Sequence, residues 1–153
     1  MMFTPRKLNL FLLFKLPSAY FSGVRLKTIL KDEVEVIVRH RWINQNPFKS
    51  MYWATQGMAS ELTTGILVKK EIVESGHKFS MLVTEQKGIF TKKALGKITF
   101  TCKDGAKLKK TIDLAIKTGE GQTINLISDG FDEAGDKVSS FEYQWSIKLK
   151  VSP

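Results

Sequence analysis

A chain of 153 residues, 42% of them hydrophobic, is enough for one domain with one good core. Lysine and arginine exceed aspartate and glutamate by nine. That excess either suits an anionic partner (a phosphorylated cofactor, nucleic acid or an anionic surface) or only keeps a lysine-rich surface solvated. Cys102 is the sole cysteine, which excludes an internal disulfide and fits a reducing compartment, the cytoplasm.

At the N-terminus Arg6 and Lys7 precede the apolar run Leu8 to Phe14. The stretch loosely mimics a secretory signal, but Asn9 and Lys15 break it and no small-x-small site follows. It is too short to span a bilayer, so no membrane span is expected. Residues 1–22 are read as a helical segment packed on a single domain formed by residues 23–153. After Gly23 the period becomes two: Val34, Val36, Val38 and His40 alternate with Glu35, Ile37, Arg39 and Arg41, the pattern of a half-buried strand. Val24 to Ile29 reads as its first part, and Asn44 to Pro47 as a turn.

Asn46 to Gly76 carries the signature of a long buried helix. Pro47 can open it and Ser50 can cap it. Ala54, Met58, Leu62 and Ile66 recur every fourth residue. Gly57 and Gly65 lie inside the pattern and point to close backbone approach, by a sheet or a partner, and Gly76 stops the helix. Glu61 stands on the edge of the apolar stripe, where a carboxylate is either half-solvated or functional.

The remainder reads mostly as strands: His77 to Thr84, continued by Ile89 to Lys93; Ile98 to Lys103, ending at the turn pair Asp104-Gly105; and Thr123 to Ile127. Ala106 to Lys117 forms a short helix with Leu108, Ile112, Ala115 and Ile116 on its apolar side, and Phe131 to Asp136 a polar loop. In the last strand Phe141, Tyr143, Trp145, Ile147, Leu149 and Val151 share one face. Six apolar residues on one face need a buried partner, and the central helix supplies it. The sum is α+β: one long helix against an antiparallel sheet of about five strands.

Phosphate-cradling glycine loops, the G-x-S-x-G elbow and H-E-x-x-H are absent from the sequence. One cysteine and two histidines do not make a zinc site unless carboxylates complete it, so no metal and no cofactor are expected. His40 reads as a satisfied core or interface histidine, His77 as a partner for helix-end carbonyls, and Cys102 as a small core residue. The lysines are scattered, which argues against nucleic acid. Phe48, Tyr52 and Trp53 cluster at the start of the central helix. They either plug the end of the sheet or border free backbone amides that can polarise a carbonyl.

The run Asn46-Pro47-Phe48-Lys49-Ser50-Met51-Tyr52-Trp53-Ala54, with Glu61 seven residues on, resembles the phenylacetate-type motif of hotdog thioesterases. There an Asn and a short spacer precede His-Gly-Gly, and an acidic residue follows the His by nine. The chain is more similar still to a thioesterase-like branch of unknown function in which Met-Tyr-Gly-Gly is usual. The resemblance covers about Gly23 to Lys150 and implies a hotdog fold, a sheet wrapped around the central helix. It implies that Glu61 is the general base or nucleophile and that Asn46 orients the loop or the nucleophile. It also implies that Phe48, Tyr52, Trp53 and Ala54 border the substrate, an acyl-CoA or other acyl thioester. Tyr52 stands in place of the His, and Trp53 and Ala54 in place of the two glycines. A homodimer, or a tetramer, with the site at its interface follows from the same likeness. Two functions stay open: a thioester hydrolase, which Glu61 favours, and a non-catalytic acyl- or lipid-binding protein, which Tyr52 and Trp53 favour.

Overall fold

These patterns resolve into six strands and four α-helices among residues 3–150, the part of the chain described by the computed structural model. The order along the chain is α1 (Pro5–Lys15), α2 (Pro17–Phe21), β1 (Arg25–Ile29), β2 (Val34–Arg39), α3 (Trp53–Glu74), β3 (Phe79–Phe90), β4 (Lys97–Cys102), α4 (Gly105–Thr118), β5 (Gln122–Phe131) and β6 (Lys137–Leu149). The strands form one antiparallel sheet in the order β1-β2-β4-β5-β6-β3. The sheet curves around α3, which packs on β2, β4, β5 and β6. This is the α+β hotdog architecture.

Leu67, Ile98, Phe100, Leu126, Phe141 and Ile147 fill the space between α3 and the sheet and are almost wholly excluded from solvent. The helix does not face the sheet with apolar residues alone. Ser139 Oγ donates to Gln56 Oε1 (2.8 Å), Ser60 Oγ shares a hydrogen bond with Tyr143 Oη (2.7 Å), Thr63 Oγ1 donates to Ser128 Oγ (2.8 Å) and Trp145 Nε1 donates to Thr64 Oγ1 (3.0 Å). These buried pairs recur about once per helical turn. Each satisfies two groups that would otherwise cost about 1–3 kcal/mol apiece. They lock α3 in axial register against β5 and β6.

Some expectations are adjusted. The sheet has six strands, because Val24 to Arg39 folds as a hairpin of two. His77 to Lys93 becomes one long strand, β3, with an irregularity between Val83 and Glu85. Asp104-Gly105 opens α4 and is not a hairpin turn. The apolar side of α4 is as expected, with Leu108, Ile112 and Ala115 buried. On β6, Phe141, Tyr143, Trp145 and Ile147 are buried, while Val151 lies outside the described residues.

The central helix starts at Trp53, later than Pro47 or Ser50. Residues 45–51 are instead a closed loop. Gln45 and Met51 form an isolated bridge. Lys49 has φ +58°, the left-handed region, which cannot continue into a helix. Ser50 caps nothing: it is buried in the loop, and Tyr52 occupies the cap position without a side-chain capping bond.

The two sheet edges differ. On β1, the Leu26 amide donates to Asn9 Oδ1 (2.8 Å) and its carbonyl accepts from Asn9 Nδ2 (3.1 Å), so α1 closes that edge. The outer edge of β3 has no pairing strand among the described residues and exposes Leu82, Ile89 and Phe90.

Candidate functional site

The loop before α3 is built around Asn46. Its Oδ1 accepts from the amides of Phe48 (3.0 Å) and Ser50 (3.2 Å), and from Ser50 Oγ (3.3 Å). The Asn46 amide in turn donates to Ser50 O (2.8 Å). A short side chain with two acceptor lone pairs and two N–H donors suits this turn, so Asn46 orders the loop. The loop delivers the chain to Tyr52, whose amide donates to Asn44 O (2.8 Å). The next two amides, of Trp53 and Ala54, have no acceptor among the described residues. They lie at the positive end of a 22-residue helix.

Asn46, Phe48, Tyr52 and Trp53 line one open cavity of about 470 Å³, closed on the other side by the end of β3 and the segment Thr91 to Ala94. Tyr52 and Trp53 meet edge to face, 5.9 Å between ring centroids, and both are about half exposed. Ala54 is half-buried on the first turn of α3 and is not part of this lining.

Glu61 lies elsewhere. It borders a second cavity, about 220 Å³, formed by Met58 and Leu62 of α3 and by Lys15 to Ala19 at the junction of α1 and α2. Nine residues of helix separate it from Tyr52, about 13 Å along the axis. One chain therefore brings Asn46, Phe48, Tyr52 and Trp53 together and leaves Glu61 apart from them.

The surroundings of Glu61 are mostly apolar, with Lys15 and Ser18 also in the cavity wall. Burial raises its carboxyl above the ordinary 4.5. Its carboxylate makes no hydrogen bond or ion pair with any described residue, while its backbone carbonyl accepts from Thr64 Oγ1 (2.9 Å). A Cβ placed on Gly65 would stand 3.2 Å from Glu61 Oε1 and 3.5 Å from the ring of Trp145. The missing side chain at Gly65 thus gives the carboxylate its room, beside the indole that Thr64 holds. At Gly57 the corresponding position is open, with only Trp53 at 4.0 Å, so at both helix glycines the nearest atoms are side chains and not the backbone expected. Tyr143 is a neighbour that composition did not mark. Its hydroxyl reaches Ser60 and Gly57 O (3.0 Å), and burial, with the Glu61 charge adding, pushes it up to about 12.

The other titratable candidates are accounted for. His77 Nδ1 contacts Ser75 O (2.8 Å) past the helix end, the expected structural role. Cys102 is fully buried in β4 and its thiol is pushed up to about 12 by that burial, which keeps it protonated and inert. His40 lies just beyond β2. Its Nε2 is buried without a partner among the described residues, so within one chain it is not the satisfied core histidine of the two alternatives expected. No group of three or more His, Cys, Asp or Glu among the described residues could hold a metal. None of the described helices is long and apolar enough to cross a membrane.

Residues 6–147 match the family described as Domain of unknown function (DUF4442). The chain belongs to that family. No curated protein matches it. Among solved structures, a Pseudomonas aeruginosa protein of unknown function described as a probable thioesterase superposes with TM-score 0.79 at 21% identity, over 97% of this chain and 99% of that one. A Chlorobaculum tepidum protein of unknown function gives TM-score 0.80 at 18% identity, over 95% and 94%. A thioesterase from Haemophilus influenzae gives 0.68 at 11% identity, over 99% and 95%. At these identities the likeness is one of fold.

Proposed function

We propose that this protein hydrolyses acyl thioesters of the acyl-CoA type in the cytoplasm, at a site completed across a homodimer. The observation that carries this reading is Glu61: a carboxylate without a partner among the described residues, bordering a cavity and raised above the ordinary carboxylate value by burial. The free amides of Trp53 and Ala54 supply the complementary part, donors aimed where a tetrahedral oxyanion would form. Water activated by Glu61 attacks the thioester carbonyl, the amides take up the charge on its oxygen, and the thiolate leaves. Asn46 holds the loop that sets those amides. Lys93, which reaches Phe48 O (3.3 Å), brings a positive charge to the mouth of the same cavity for the cofactor phosphates.

The dimer supports the geometry. Glu61 sits one strand in from the open β3 edge, since Trp145 beside it pairs with Val83 of β3. The Tyr52 cavity borders the far end of the same strand. Antiparallel pairing of two β3 edges satisfies their open amides and carbonyls and carries the helix N-terminus of one protomer toward the carboxylate of the other. Two dimers could pair further into a tetramer.

A second reading, an acyl- or lipid-binding protein without turnover, is favoured by Tyr52 in place of the His and Trp53 in place of a glycine, two aromatic rings on the wall of the cavity. Turnover of a panel of acyl-CoAs, beside light scattering, separates the two. Hydrolysis by the wild type that falls on the order of 10²-fold or more in Glu61→Gln supports the enzyme. Unchanged turnover in Glu61→Gln ends it, and acyl-CoA binding without turnover establishes the second reading. A monomer at micromolar concentration removes the two-subunit site.

A further inference from the structure

Helix α1 is amphipathic with its polarity partly reversed. Leu8 and Leu12, four residues apart, are buried on the domain. The opposite face should be polar in a solvated helix. Instead it presents Leu10, 58% exposed, and Phe14, 71% exposed, flanked by Phe11. Arg6 and Lys7 stand at one end of this ridge and Lys15 at the other. Beside it lies a cavity of about 600 Å³ with Arg6, Lys7, Tyr20 and Arg25 in its wall and no carboxylate. Arg25 is fixed there by hydrogen bonds to the carbonyls of Tyr20 (2.6 Å) and Val24 (2.7 Å) and by stacking over the Tyr20 ring, 3.6 Å from its centroid.

The charge of the first 31 residues is one-sided, although Lys31 lies away from this ridge, in a cavity with Asp32, Glu71, Glu74 and Asp113. Arg6, Lys7, Lys15, Arg25, Lys27 and Lys31 precede the first acidic residue, Asp32, so six of the nine excess positive charges fall in the first 31 residues. Only Lys27 of these is paired with a carboxylate among the described residues, Glu35 at 3.1 Å.

We propose that this face docks the protein on an anionic phospholipid bilayer, with Leu10, Phe11 and Phe14 among the acyl chains and a lipid phosphate in the Arg6–Arg25 cavity. A second copy of the chain is disfavoured as occupant, because it would bring the same cations against these. A convex helix offers no groove, and fluid lipid moulds to a ridge. Exposed apolar side chains rimmed by lysine and arginine are the pattern of a helix lying in an interface, held by buried area together with attraction to anionic headgroups. The docking stands independently of thioester hydrolysis.

Co-sedimentation with vesicles of phosphatidylcholine and phosphatidylglycerol in equal parts, against phosphatidylcholine alone, tests it. The wild type pellets with the anionic vesicles, less so as salt is raised. Phe14→Ser weakens binding about tenfold, and Lys7→Glu by about fivefold or more. Both variants keep the wild-type melting temperature, because neither residue is buried. Equal pelleting of wild type and Phe14→Ser overturns the proposal, as does binding indifferent to lipid charge. Inorganic phosphate bound in solution without any pelleting also overturns it. So does loss of a dimer in Phe14→Ser by light scattering, which would assign the ridge to a second copy.

Discussion

Gly65→Ala separates the stability of α3 from the placement of Glu61. In a helix interior, alanine for glycine gains up to about 1 kcal/mol from backbone entropy. The new Cβ would sit 3.5 Å from two atoms of the Trp145 ring, an ordinary van der Waals contact, and 3.2 Å from Glu61 Oε1, which is tight. The carboxylate end of Glu61 is the softer neighbour. It has no partner to lose, whereas Trp145 is held by Thr64. The carboxylate therefore shifts by a few tenths of an ångström, and most of the backbone gain survives. The expected result is a melting temperature higher by about 2 °C, the scale for roughly 0.5–1 kcal/mol in a domain of this size. Turnover falls in the same variant, because a general base must stay within hydrogen-bond reach of its proton. Calorimetry and steady-state kinetics on one preparation read both effects. A fall of several degrees would refute the reasoning, since it would mean that Glu61 and Trp145 are both locked. A higher melting temperature with unchanged turnover would mean that the carboxylate position does not matter to the chemistry.

Two further outcomes are expected. Burial raises the Glu61 carboxyl above 4.5, so the folded protein binds that proton more tightly than the unfolded chain; the stability this adds is complete below about pH 4.5 and is lost as pH rises through the raised folded value. Glu61→Gln, which cannot ionise, should gain on the wild type in urea midpoints as pH rises above that range, and a pH-independent difference would show that Glu61 is as well solvated as in the unfolded chain. Trp145→Ser should cost about 3–5 kcal/mol, since it empties a buried site and strips Thr64 of its donor, while Ser146→Leu, on the half-buried opposite face of β6, is far better tolerated; similar melting temperatures would place the strand register one residue off.

The fold was legible where one period dominated. Period-two alternation in Val34–Val38 and Phe141–Ile147 marks strands with one covered face, and the length of the apolar stripe marks the single helix. The start of α3 was not legible, because Pro47 and Ser50 are good helix openers in isolation. What overrides them is non-local. Met51 N donates to Ala94 O (2.9 Å), a contact made across more than forty residues of sequence. The polar ladder of α3 was also missed. Gln56, Ser60, Thr63 and Thr64 do recur at helical spacing, but polar residues at that spacing normally mark the solvent side, and only the partners on β5 and β6 show otherwise. At the site, the cluster Phe48-Tyr52-Trp53 and its link to Asn46 could be read from sequence proximity. The separate position of Glu61 could not, because its cavity is closed by residues 15–19, more than forty positions away.

The polar groups of α3 discriminate between structural and functional residues. Gln56, Ser60, Thr63 and Thr64 are buried and each is paired. Lys70, also buried, holds Glu71 and Glu74 at 3.1 Å each and donates to Lys31 O (2.9 Å). The helix therefore meets the general rule that buried polarity is satisfied. Glu61 departs from it with a carboxylate that is only half-buried, unpaired and beside an indole. A leucine there would join Met58 and Leu62 and relieve the desolvation of a charge. A sequence selected for stability alone has no reason to keep the acid, and local rules are broken chiefly where function requires it. The same logic applies to Leu10 and Phe14 on α1, where polar residues would cost the fold nothing. Lys15 to Ala19, at the junction of α1 and α2, line the cavity that holds Glu61 and so connect the two departures along the chain.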